Sequence, residues 1–161
     1  MVESSVSAWE TTYLLARDYS DKAAASWSAT FWAGLAAGRI LAVPLSLRIP
    51  PGRLVALCAG LTVLALLATL GPGMEPAAFT LAGLAMAAIF PTSFAWLARA
   101  FPAAGAVGGL AVGAAMVGGM AGPPLVGLVV TGHGAIGVPW TLAALALACL
   151  GCALWLRRRL H

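Results

Sequence analysis

Apolar residues gather along this chain into long runs separated by short polar or helix-breaking gaps. The runs cover residues 23–47, 54–70, 77–98, 107–130 and 138–156. Each approaches the roughly 20 residues a helix needs to cross a bilayer. The first stops at Arg48-Ile49-Pro50-Pro51-Gly52-Arg53 and the second at Gly71-Pro72-Gly73-Met74-Glu75-Pro76, both rich in turn formers. The third ends near Arg99 and Pro102. A polar gap, Thr131-Gly132-His133-Gly134, follows the fourth, and Arg157-Arg158-Arg159 closes the fifth. Residues 1–18 are less apolar and carry Glu3 and Glu10, which suits a partial span lining a polar cavity. The pattern predicts an all-α polytopic membrane helix bundle over residues 1–161, with five full spans, one truncated N-terminal span and no strand.

Composition sharpens this. The chain is 61% hydrophobic and only 9% charged, against roughly 25% charged in soluble domains. A soluble chain of 161 residues could not hide so much apolar surface. Charge placement gives a topology. If each run crosses once, Arg48, Arg53, Arg99 and Arg157 to Arg159 share one side with no acid. Arg17, Asp18, Asp21, Lys22, Glu75 and His133 fall on the other. The positive-inside rule makes the arginine side, and the C-terminus, cytoplasmic, in a multi-pass cell (inner or plasma) membrane protein. No basic patch with interleaved aromatics points to nucleic acid. The N-terminus, with Glu3 where a basic segment belongs, does not read as a signal peptide. Cys149 and Cys152 make a CxxC spacing, but no second pair or histidine accompanies them, and with Cys58 they read as helix packing residues. No metal or cofactor is expected beyond a coupled proton or ion.

Arg39 lies nine residues before Arg48, about 13 Å along a helix. That is too deep to snorkel fully, so it needs a partner or a wet cavity. Glu3 is the expected partner. In an antiparallel hairpin turning near Ser20-Asp21, Glu3 and Arg39 both fall about 25 Å below the turn. The pair suits a coupling role or a purely structural one. Glu3, Ser7 and Glu10 share a helical face that should point into the bundle; alternatively, residues 1–18 lie outside the membrane and the carboxylates meet water. Trp27, Trp96, Trp140 and Trp155 sit near span ends as interfacial anchors. Trp9 and Trp32 lie deeper and are candidates to face a solute. Gly109, Gly118 and Gly122, with Pro123, suggest a seam where a second helix passes closely and a hinge is placed; Phe90-Pro91-Thr92 suggests another.

These residues resemble the C-terminal half of the major facilitator superfamily. Trp9-Glu10-Thr11-Thr12-Tyr13, after Glu3, is similar to the seventh helix of fucose-permease-like members, and Phe31 to Arg39 to their eighth. The segment from Gly38 to Arg53 resembles the loop motif G-R-x-x-x-x-P-L-x-D-R-x-G-R, keeping Pro44, Leu45 and Arg48, with Gly52 and Arg53 nearby after an extra proline pair and Leu47 in place of the aspartate. Ile89-Phe90-Pro91-Thr92 resembles the tenth helix and the glycine series 109–127 the eleventh. The resemblance implies two six-helix halves, alternating access and a solute site between them. It implies Glu3, Trp9, Glu10, Trp32 and Arg39 as substrate or coupling residues. The partners would be the lipid bilayer, a small-molecule solute, and a missing N-terminal half or second chain.

The expected function is secondary active transport of a sugar, polar metabolite or drug-like compound, by a fragment or half of a permease or by a homodimer. The rival is a non-transporting membrane subunit or degenerate truncated product. An enzyme is not expected, since no HExxH, intramembrane aspartate pair or Ser-His arrangement is present.

Overall fold

The computed structural model describes residues 1–101 and 105–159. These form seven helices: α1 (Val2–Leu15), α2 (Asp21–Arg48), α3 (Pro51–Ala68), α4 (Glu75–Met86), α5 (Ile89–Ala100), α6 (Gly105–His133) and α7 (Gly137–Arg159). Five membrane-length stretches result, because α4 and α5 together make one, Glu75–Ala100. No strand occurs among the described residues. The bundle is all-α and polytopic.

Local chemistry sets the ends. Ser20 accepts a hydrogen bond from the Ala23 N–H at 3.3 Å, and Asp21 sits in the first turn of α2. This N-cap draws Asp21 and Lys22 into the helix, ahead of the expected start at 23. Pro51 opens α3, where its missing N–H costs nothing. The third span is not one helix as expected. Pro91 has no N–H for the Ala87 carbonyl, and its ring crowds that residue. The helix breaks there, at Ala87-Ala88. Pro102, expected to close this run, lies outside the described residues. The gap expected at 131–134 also shrinks. Thr131 turns its hydroxyl back to the Leu128 carbonyl at 2.8 Å, so α6 continues to His133. It ends at Gly134, whose φ of 71° only glycine adopts freely.

In lipid, helices are held by close packing and not by escape from water, so small residues at crossings matter most. The tightest crossing joins α2 to α4. A Cβ built on Gly34 would lie 2.5 Å from the Thr80 carbonyl oxygen, and one on Gly83 2.7 Å from that of Phe31. A Cβ on Gly38 would collide with the Leu84 carbonyl. Around this seam Val6, Tyr13, Phe31, Leu35, Leu66, Phe79 and Leu142 form a continuous core. Tyr13 meets Phe79 edge-on at 6.0 Å. α3 lies against both α4 and α7, and α1 against α6.

The glycines of α6 divide. A Cβ on Gly122 would lie 2.9 Å from the Met1 carbonyl oxygen and closer to the Ser5 hydroxyl; one on Gly118 would touch Met1 at 3.4 Å. Gly109 would meet nothing within 4 Å among the described residues, so no described helix makes the close approach expected there. Gly122→Leu should therefore lower stability by about 1–3 kcal/mol, while Gly109→Leu leaves it near wild type. Thermal unfolding in detergent reads both; equal melting temperatures for the two variants would remove the α1–α6 seam.

The ends of the bundle are chemically distinct. A Cβ on Gly52 would sit 2.9 Å from Trp96 and 3.4 Å from Arg157. The start of α3 and the ends of α5 and α7 therefore meet at one end, the arginine end. At the other, Arg17 reaches Glu75 across two turns.

Candidate functional site

Arg39 Nη2 lies 3.3 Å from Glu3 Oε1, with the two side chains 59% and 38% exposed. An ion pair this open contributes at most about 1 kcal/mol. Placing an arginine within a span costs about 2.5–3.5 kcal/mol. The pair alone does not offset that cost, so the guanidinium requires water or further polar cover. Polar space is available beside it. Glu3, Ser4, Ser7, Trp32, Phe90 and Gly119, from α1, α2, α5 and α6, line a cavity of about 460 Å³. A second, of about 180 Å³, holds Arg39, Ser46, Pro91, Thr92 and Arg99. Glu3 also borders a third, of about 420 Å³, with Ser93, Cys149 and Cys152. Trp32 is exposed and packs edge-on against buried Phe31, ring centres 5.5 Å apart.

Glu10 stands apart from these cavities, fully buried between α1 and α2. Ser28 Oγ donates to its Oε2 at 3.3 Å, and Thr11 Oγ1 donates to Ser28 at 3.5 Å. Its Oε1 has no partner among the described residues. Trp9 turns away from the open face. Its indole N–H donates to the Pro123 carbonyl at 2.9 Å, and its ring covers Gly127, where a Cβ would lie 3.1 Å away. Trp9 thus fastens α1 to α6. Glu3, Trp32 and Arg39 share one open side, Glu10 sits behind it, and Trp9 belongs to a helix seam.

The segment expected as a loop motif is mostly helical. Gly38 and Pro44 lie within α2, Arg48 in its last turn and Arg53 in the first turn of α3; only Ile49 and Pro50 lie between the helices. Pro44 forfeits a single backbone bond, which a long helix tolerates.

One cluster escaped the sequence reading. Arg17 Nε donates to Glu75 Oε1 at 2.8 Å, and the Tyr19 hydroxyl donates to Oε2 at 3.2 Å. Glu75 is almost fully buried. Below it the Tyr13 hydroxyl donates to the Thr69 carbonyl at 3.0 Å. The hydrogen bond to Glu75 holds the Arg17 guanidinium above its ordinary pKa. Burial, then the bond to Glu75, pushes the Tyr19 phenol up, so it remains a donor at neutral pH. The only sequence signal was that both charges fall at the same end of the bundle. Among the described residues no group of three His, Cys, Asp or Glu could hold a metal.

The family model of the Major Facilitator Superfamily matches residues 2–161. No curated protein and no solved structure matches the chain.

Proposed function

This chain belongs to the Major Facilitator Superfamily of membrane transporters, and we propose that it carries a small solute by secondary active transport. In this reading it is the C-terminal half of a permease, and a second bundle covers α2 and α6, its least buried membrane-length helices. The solute is a sugar, polar metabolite or drug-like compound, and the C-terminus faces the cytoplasm of a cell membrane. The observation that carries the reading is the Glu3–Arg39 pair at 3.3 Å, with Glu3 lining a cavity of about 460 Å³. Such a pair adds little stability yet sits where charge is costly. Opposite charges on an open intramembrane face suit a path along which polar groups of a solute exchange with protein partners. Glu10 is the coupling group: its carboxyl is fully buried, with the Ser28 hydroxyl as its one hydrogen-bond partner among the described residues, a setting in which a charge is costly and a change of proton occupancy has consequences.

Uptake into membrane vesicles under an imposed pH gradient tests this, with labelled sugars, polar metabolites and drug-like compounds as probes. Arg39→Ala should lower uptake about tenfold, the effect of losing about 1.4 kcal/mol. Arg48→Ala, at the end of α2, should leave it within about twofold. Equal losses would displace the site from Arg39. Absence of uptake for every probe, in vesicles that also hold the covering bundle, would support the non-transporting subunit.

A further inference from the structure

A surface groove runs between α3 and α7, away from Glu3 and Arg39. Its volume is about 480 Å³. Leu57, Leu61 and Leu64 on α3 and Leu154 on α7 line it, with Arg53 and Arg157 at one end. The three α3 leucines follow i, i+4, i+7 spacing, hence one helix face, and all are more than half exposed. Gly60 forms the floor between them. A Cβ there would meet nothing within 4 Å, so the depth of the groove comes from the missing side chain.

Both arginines line the groove. The Arg157 stem packs beside Gly52, next to Arg53. No acidic side chain follows Glu75 in the sequence, and neither arginine makes an ion pair among the described residues. From Arg53 to Leu64 is eleven residues, or about 16 Å of helix. The hydrocarbon of one leaflet is about 15 Å deep, half the bilayer core. A leaflet-deep apolar trough ending in two guanidinium groups that no described acid pairs with matches one kind of molecule. The geometry points to an anionic phospholipid, its acyl chain along the leucines and its phosphate between Arg53 and Arg157. Guanidinium suits this task because its fixed N–H fork matches phosphate oxygens. Arg158 and Arg159 lie beyond the groove, with Arg159 over the Trp155 ring at 5.7 Å.

The test is native mass spectrometry of the full chain released from bilayer discs of equal phosphatidylglycerol and phosphatidylcholine. Wild type should retain phosphatidylglycerol about tenfold over its share of the bilayer, in line with the pull of basic residues on anionic lipid. The Arg53→Ala/Arg157→Ala double variant should bring retention back to the bulk ratio. Gly60→Leu, which has room for its side chain, should lower retention with both arginines in place. Arg158→Ala/Arg159→Ala should stay within about twofold of wild type. No enrichment in wild type, or no loss in the Arg53/Arg157 variant, overturns the site. Retention unchanged by Gly60→Leu does the same, as does an equal loss in the Arg158/Arg159 variant, which would mean diffuse attraction to the basic end.

Discussion

Replacing Gly38 with alanine is expected to leave little correctly folded protein. In an open stretch of helix the same change stabilises by about 1 kcal/mol, because alanine loses less backbone entropy. Here the sign reverses. The Cβ itself would collide with the Leu84 carbonyl and lie 2.7 Å from the Ala87 Cβ. Both obstacles belong to the neighbouring chain segment, and a backbone carbonyl cannot swing aside as a flexible side chain does. α2 and α4 must separate, and Gly34 and Gly83 lose their contacts with them. Leucine adds more bulk at the same point, with a cost at or above the usual overpacking range of about 1–3 kcal/mol. Gly151→Ala, where nothing lies within 4 Å, is the control and should hold or gain stability. Size-exclusion profiles and melting temperatures in detergent decide the matter. If Gly38→Ala melts at or above the wild-type temperature, α2 and α4 do not cross at this residue.

Glu10 should give the largest functional change with the least structural one. Its carboxyl is fully buried, and among the described residues Ser28 is its one direct partner. Glutamine keeps the shape and the acceptor for Ser28 but cannot release a proton. Leucine removes the unpartnered oxygen and leaves Ser28 within reach of Thr11. Apolar replacement of an incompletely paired buried polar group is often neutral or stabilising. Both variants should therefore fold within about 1 kcal/mol of wild type. Both should also lose uphill accumulation of solute under a pH gradient, while Glu10→Gln still allows downhill exchange. Normal proton-driven accumulation by Glu10→Gln would exclude Glu10 as the coupling group.

The membrane architecture was legible because span length and arginine placement are averages over many residues. The relation of Glu3 to Arg39 needed only helical rise and the turn at Ser20, both local quantities. Three features were not legible. α2 is apolar almost all round, so no amphipathic stripe marks which of its faces packs inward. Gly38 consequently resembled part of a loop motif, although its neighbour is the backbone of α4. The Arg17–Glu75 bond joins turns 58 residues apart in the chain, and nothing in either turn specifies the other. Trp9 was read by depth alone. Depth does not reveal that its N–H finds the Pro123 carbonyl, which requires knowing that α1 lies against α6. The two-residue break before α5 was closer to reach, since Pro91 acts on Ala87 by a rule of position.

The central claim is that the face carrying Glu3 opens to a water-filled path while the leucine face of α3 meets lipid. Thiol accessibility measures this directly, without knowledge of the solute. Cys58, Cys149 and Cys152 are first replaced by alanine, and single cysteines are placed at Ser7, Gly119 and Leu61 in the membrane-embedded chain. A charged, membrane-impermeant maleimide should label Ser7→Cys and Gly119→Cys, which line the cavity of about 460 Å³, and leave Leu61→Cys unmodified. Labelling of Leu61→Cys, with Ser7→Cys and Gly119→Cys inert, would contradict the account.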